Sequence, residues 1–177
     1  AVAQATAACR TVRSLTAVAA VSGSAAGHRV RIRLSVGVAV PASVRLEAEA
    51  PFGAPLFILA ATGDEGTLFL PRDRRVLEHG RPDRVLEAVA GVPLDAAGVQ
   101  TVLRGCAPAG ETTAARQFGD DWLMASTSDG GALYLRRTSR GATGAGDWEL
   151  VAIVHAAPPG DTRWRAEFAD REAGVPR

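Results

Sequence analysis

The chain contains no lysine. Its 20 basic residues are all arginine, set against 19 acidic residues for a formal net charge of +1. So even a balance argues against a global attraction to nucleic acid or to an anionic membrane surface. The arginine bias is read as the mark of a GC-rich coding sequence. A selected arginine-rich binding face would be expected to cluster more.

Long apolar runs are also missing. No stretch reaches the 18 or so residues that a membrane-spanning helix needs. A basic start followed by an apolar core, the pattern of a signal peptide, is absent as well. The chain opens AVAQATAAC without methionine and is read as a mature or trimmed form whose targeting segment lies outside it. There are only two cysteines, Cys9 and Cys106, and no CxxC pair, so redox catalysis and zinc binding fit poorly. In an oxidising compartment the two would form one disulfide closing a long loop, and in a reducing one they would stay free thiols. The disulfide is the favoured reading; a lipid-modified Cys9 is the rival.

Catalytic patterns are lacking too. The three histidines, His28, His79 and His155, share no metal-binding spacing. Ser22 and Ser24 stand in no GxSxG elbow. The glycine-rich stretch 141–146 has neither a lysine nor a strand–loop–helix setting, so it is no phosphate loop. Asp64-Glu65 and Asp120-Asp121 are acidic pairs at strand tips, where solvated turn residues are the simpler reading. No constellation here supports an enzyme, and no cofactor is expected.

What the chain does have is alternation. From Arg29 to Val40, Val30, Ile32, Leu34, Val36, Val38 and Val40 share one parity, and Arg31, Arg33, Ser35 and Gly37 the other. A strand sends successive side chains to opposite faces, so this segment has one apolar and one wet face. Residues 43–50 repeat the pattern, with Val44, Leu46 and Ala48 against Arg45, Glu47 and Glu49. The next two segments lose the alternation and turn apolar at Leu56, Phe57, Ile58 and Leu59, then Leu68, Phe69 and Leu70. Such a sheet has to cover something on each face, either a core or a lipid.

With 47% apolar residues over 177 positions, a single domain with a sizeable core is expected. The spacing of Val12, Leu15, Val18, Ala19 and Val21 predicts a helix within residues 1–22, ended by Ser22-Gly23-Ser24. Strands follow at about 29–40, 43–50, 56–61 and 66–71, with a short fifth at 76–78. In the first hairpin Val40 is expected opposite Val44, with Glu49 diagonal to Arg33. Pro82 opens a helix over 82–90, and Asp95 caps another over 95–105. Strands return at 120–127, 131–138, 147–156 and 162–169, while 105–113 is a loop. Residues 1–8 and 170–177 are expected to fray. The expected fold is α+β: a meander of about eight or nine strands in one sheet, which at that size has to curl or close. An N-terminal helix and two short helices would lie on its concave face. One basic concentration, Arg72, Arg74, Arg75, Arg81 and Arg84, is interrupted by Asp73, Glu78 and Asp83. It reads as a salt-bridged turn or as a polar rim meeting an anionic headgroup or partner.

The order of elements, with the segments RVRIRLSVGVAVPASVRLEAEAPFGAPLFILA, TLFLPRDRRV and PDRVLEAVAGVPLDAAGVQTVLRGC, resembles the LolA/LolB-like superfamily of lipoprotein carriers and receptors, in its divergent outer-membrane lipoprotein branch. The likeness covers about residues 9–106, and its most distinctive motif is RLEAxAPFGxPxF. It implies an unclosed half-barrel whose apolar concave face binds acyl chains non-covalently, gaining about 0.8 kcal/mol per buried methylene. The implied lining is Val30, Ile32, Leu34, Val36, Val38, Leu46, Ala48, Phe57, Leu59, Leu68 and Leu70 from the sheet. Val85, Leu86, Val89, Val99, Val102 and Leu103 would come from the helices, with Arg72, Arg74 and Arg75 on the rim. It further implies a periplasmic or outer-membrane monomer that binds lipid or lipoprotein acyl chains, touches a membrane surface through an N-terminal lipid anchor and binds no nucleic acid. Two family marks differ here. The arginine-proline that ends the first long strand of the carriers reads Val40-Pro41, and the loop Thr62–Gly66, which in the receptor bears an exposed apolar residue, is polar. The alternative is an envelope interaction, structural or sensor protein whose own helices fill the same cavity.

Overall fold

The computed structural model describes residues 1–25, 28–49, 55–108, 110–138, 147–157, 161–168, 171–172 and 175–176; side chains at 21–25, 28–30, 156–157, 161–163 and beyond 168 are outside the description. The chain divides into two compact units, residues 13–100 and residues 1–12 with 101–177. Most of it is antiparallel strand in two open sheets with a few short helices, an α+β composition.

The first unit holds a six-stranded meander in chain order: β1 (Ser14–Ala25), β2 (His28–Ala39), β3 (Ser43–Glu49), β4 (Pro55–Thr62), β5 (Glu65–Leu70) and β6 (Arg75–Gly80). The helix expected within residues 1–22 is therefore corrected. Only Val2–Ala5 (α1) and a 3-10 turn at Ala8–Thr11 are helical, and Ser14–Ala25 is a strand paired along its whole length with β2. Leu15 and Ala19 fit the helical spacing begun at Val12, but they also share one parity with Ala17 and Val21, the period of two of a strand. Pairing with the long β2 supplies a full ladder, which outweighs alanine's local helical preference.

In the β2–β3 hairpin Val38 stands opposite Val44, and Arg33 directly opposite Glu49. The expected register was two residues off, because β2 ends at Ala39 and residues 40–42 form the turn, so Val40 lies outside the β2–β3 ladder. A slip of two preserves parity, so each side chain stays on the face read from the sequence. The β4–β5 turn closes at Gly63, whose φ of 62° suits glycine.

Helices α2 (Pro82–Ala90) and α3 (Ala96–Leu103) follow. Pro82 occupies the first turn of α2, and Gly91 ends it in the left-handed region. A Cβ on Gly80 would stand 3.1 Å from Val85 Cγ2, so glycine lets α2 lie close against the end of β6. Asp95 caps α3 by accepting the Gly98 N–H at 2.7 Å. Gly105, at φ 66°, terminates it while the Cys106 N–H returns to the Thr101 carbonyl at 2.9 Å.

The second unit carries a five-stranded sheet of order β11-β10-β9-β8-β7, from β7 (Thr112–Phe118), β8 (Trp122–Thr127), β9 (Gly131–Arg137), β10 (Trp148–Ala157) and β11 (Asp161–Glu167). The single sheet of eight or nine strands is thus corrected to two sheets that together hold eleven among the described residues, with a two-residue ladder, β12 (Arg171–Glu172) and β13 (Val175–Pro176), beyond them. Strand β7 falls partly in the expected loop. All seven of its residues are exposed, so no buried face imposed an alternation to read. Residues 2–5, expected to fray, form α1, and Val2 and Ala5 pack on the cluster Ala125, Leu133, Leu135, Leu150 and Ile153. The expected fraying of 170–177 falls mostly outside the described residues.

The disulfide is present: Cys9 and Cys106 are bonded, with Cα atoms 5.4 Å apart. Both belong to the second unit, and the 97-residue loop they close contains the whole six-stranded unit. Beside them Arg104 donates to the Cys9 carbonyl at 2.6 Å.

Candidate functional site

Register converts the alternating strands into three cross-strand rows on one face of the six-stranded sheet, the inner face. The first is Leu15, Val38, Val44, Ala61, Gly66 and Gly80. The second is Ala17, Val36, Leu46, Leu59, Leu68 and Leu77. The third is Ala19, Leu34, Ala48 and Phe57, continued by Leu70, which follows the Phe69–Ile58 pair.

Burial varies along and across these rows. Val36, Val38, Leu46, Ala48, Leu59 and Leu68 are buried, and α2 and α3 add buried Val85, Leu86 and Val99. This central part is packed as a core. In the third row Leu34, Phe57 and Leu70 are only half-buried, as is Ile32 beyond it. At the β6 edge Leu77 is 49% exposed. The apolar face therefore runs on past the part that is packed.

The other expected lining residues scatter. Val30 pairs with Gly23, but its side chain lies outside the described residues. Val89 is on the exposed side of α2. Val102 and Leu103 are half-buried and fall in the second unit, as α3 straddles the division. Arg72, Arg74 and Arg75 are all exposed, in the β5–β6 turn and at the first residue of β6. The ion pairs of this region belong to Arg81 and Arg84, which meet Asp83 and Glu87. The hydrogen bond from Arg81 holds the Asp83 carboxyl below its ordinary pKa.

Gln100 was missed in the sequence. It is 2% exposed, and its amide donates to the Ala39 carbonyl and, at 3.1 Å, to the Ser43 carbonyl. It thus ties α3 to the two backbone groups flanking the β2–β3 turn. A glutamine next to Val99 and one turn from Leu103 was the available signal, since such a residue is buried only with partners.

The opposite, outer face carries charge on β2 and β3, with Arg33 facing Glu49 and Arg45 paired to Glu47 at 3.0 Å. On β4 to β6 it turns apolar: Ile58, Phe69 and Val76 form a row in which Phe69 is 38% and Val76 56% exposed. Shallow recesses of about 550 and 470 Å³ lie on either side of Arg45.

The five-stranded sheet has a recess of about 950 Å³, lined by Trp122, Tyr134, Arg136, Arg165, Glu167 and Phe168 among others. Its charges are matched internally, Arg136 with Glu149 at 3.3 Å and Arg165 with Glu167. Sequence reasoning did not gather these residues because they come from separate strands that only register brings together. Among the described residues no group of three His, Cys, Asp or Glu could hold a metal ion, and no helix is long and apolar enough to cross a membrane.

No family model matches the chain, and no curated protein matches it. Among solved structures it aligns with a chain of the complex between the CwlD amidase from Clostridioides difficile and the GerS lipoprotein, at 14% identity and a TM-score of 0.36 over 92% of this chain and 88% of that one. A likeness at that level transfers neither fold nor function.

Proposed function

We propose that the protein is a non-enzymatic, extracytoplasmic lipid-binding module that holds acyl chains of a lipid or lipoprotein on the inner face of the six-stranded sheet. On this reading the sheet curves as the half-barrel of the LolA/LolB-like proteins it resembles. One observation carries the proposal: Ile32, Leu34, Phe57 and Leu70 continue a packed apolar face yet stay half-buried. An acyl chain laid along them gains about 0.8 kcal/mol for each methylene it buries. The Cys9–Cys106 disulfide suits an oxidising compartment. Among the described residues the two carboxylates with lowered pKa, Asp83 and Asp129, are each held by neighbours close in the chain rather than by one another, which suits no acid–base pair.

The test is native mass spectrometry of protein purified from a membrane-containing host, then lipid extraction and displacement of a fluorescent fatty acid. A bound species of lipid mass is expected, and Phe57→Arg is expected to lower fatty-acid affinity at least tenfold. A clean apo mass with no uptake after incubation with lipid would overturn the reading. The exposed outer row Phe69–Val76 favours a second reading, an envelope interaction protein. Under it Phe69→Ser abolishes partner capture while Phe57→Arg has no effect on it.

A further inference from the structure

Sheet edges present unpaired backbone groups, and proteins blunt them with charge, proline or shortness. The other edge strands of this molecule follow that rule. Strand β6 carries Arg75, Glu78 and His79; β7 carries Arg116; β11 carries Asp161, Arg163, Arg165 and Glu167. Strand β1 does not follow it. Its twelve residues, SLTAVAAVSGSA, include neither a charge nor a proline, and β2 is the one strand it pairs with among the described residues.

The direction of its backbone groups can be read from one hydrogen bond. The Arg13 carbonyl accepts from the Val40 N–H, so position 13 points its polar groups toward β2. In an antiparallel ladder these directions alternate by residue. Ser14, Thr16, Val18, Ala20 and Ser22 therefore aim their N–H and C=O groups away from β2, at the free edge. Of these, Ser14, Thr16, Val18 and Ala20 are exposed, Val18 at 66%.

We propose that β1 pairs antiparallel with β1 of a second copy about a two-fold axis at Val18, joining two six-stranded sheets into one. Any antiparallel register centred on a residue joins like parity with like, so both faces continue across the axis. At Val18 the register sets Thr16 opposite Ala20, Ala17 opposite Ala19 and Ser14 opposite Ser22. The outward groups form about ten ladder hydrogen bonds. Centred at Thr16 or Ala20 instead, the most exposed apolar side chain of the strand would face Ser14 or Ser22. At Val18 it meets its own copy, a β-branched pair that stabilises a ladder better. With no charge on the strand, no like-charge contact opposes a copy of itself. One strand edge buries less than the roughly 800 Å² per partner of a standard interface, so the dimer is concentration-dependent. The proposal thus departs from the monomer that the resemblance implies.

The experiment is sedimentation equilibrium of the full chain with cysteine cross-linking. The mass is expected to rise from 18.3 kDa toward twice that value with concentration. Val18→Cys is expected to form an intermolecular disulfide, because hydrogen-bonded antiparallel pairs have Cα atoms about 5.5 Å apart, within disulfide reach. Thr16→Cys alone is expected not to, whereas Thr16→Cys with Ala20→Cys is. Val18→Lys is expected to weaken association at least tenfold. Val18→Pro, which removes an outward N–H and no bond to β2, is expected to do the same with the circular dichroism spectrum unchanged. A monomer up to millimolar concentration overturns the proposal. So does a dimer insensitive to Val18→Lys and Val18→Pro, or one that cross-links at Thr16 alone.

Discussion

The two sheets are built alike and filled differently. In the five-stranded sheet Ala125, Leu133, Leu135, Leu150 and Ile153 are each at most 1% exposed, and half-buried Val2, Ala5, Trp148, Trp164 and Phe168 pack on them. Large aromatic rings and a helical turn at the chain's start complete that core. The six-stranded sheet is apolar over more strands, but its rows are mostly aliphatic, with Phe57 their one aromatic residue, and they fade from buried to half-buried toward Ile32, Leu34, Phe57 and Leu70. In one sheet the half-buried side chains pack onto the buried cluster; in the other, among the described residues, they continue its rows. That difference, rather than overall hydrophobicity, locates the candidate site.

The largest effect that bears on this comparison comes from the disulfide. Both cysteines lie in the five-stranded unit, yet the loop they close holds the other unit whole. Replacing both by serine is expected to cost roughly 3–5 kcal/mol, the range for closing so long a loop. Denaturant unfolding with and without reductant measures it. If the two units respond separately, the transition splits, and the six-stranded unit melts first.

Truncations compare the two faces directly. Leu135→Ala, in the finished core, is expected to cost about 3–5 kcal/mol, whereas Leu34→Ala, at the half-open end, is expected to cost about 1–2 kcal/mol. Equal losses by thermal denaturation would mean that the two faces are equally packed and would remove the basis for the proposed site.

Gln100→Ala tests what holds α3 against the β2–β3 turn. It leaves the Ala39 and Ser43 carbonyls without that donor, at an expected cost of about 1–3 kcal/mol. Gln100→Glu is expected to cost at least as much, since it replaces a donor by an acceptor. Hydrogen exchange is expected to accelerate at the ends of β2 and β3 and to stay unchanged in the five-stranded sheet.

The smallest expected effect is one of pH. In the β8–β9 turn Asp129 is held below its ordinary pKa, first by the Thr127 hydroxyl and then by backbone N–H groups including that of Gly131. A depressed carboxylate stabilises the fold above its unfolded pKa, about 3.8, and that contribution is lost as pH falls through the lowered value. Asp129→Asn is expected to flatten the acid limb of the stability curve slightly. Chemical denaturation between pH 2 and pH 6 checks it. The group is exposed, so the change is small.

Much of the fold was legible because it is written locally. Alternation in residues 29–50 set the faces of β2 and β3, and a register two residues off did no harm to them. Pro82 and Gly91 marked the bounds of α2, and Asp95 the start of α3. Other features carried no local mark. Strand β1 resembled a helix because Leu15 and Ala19 fit a helical spacing as well as a strand parity and Val18 interrupts the alternation, and β7 had no buried side to reveal it. The Trp122–Tyr134–Arg136 recess depends on three strands meeting.

The sequence by itself determined which side of each alternating strand is apolar, where the main turns and helix ends fall, and that two cysteines were available to pair. Each of these follows from the backbone's own period or from a residue's own φ preference and chemistry, within a few positions of the chain. Only the tertiary structure decided that the strands divide into two sheets, that β1 joins as an unguarded edge, that Gln100 is buried between two carbonyls, and that the inner rows of the six-stranded sheet pass from buried to half-buried among the described residues. These depend on which distant segments pair and in what register, a choice set by ladder hydrogen bonds and burial summed over the whole chain.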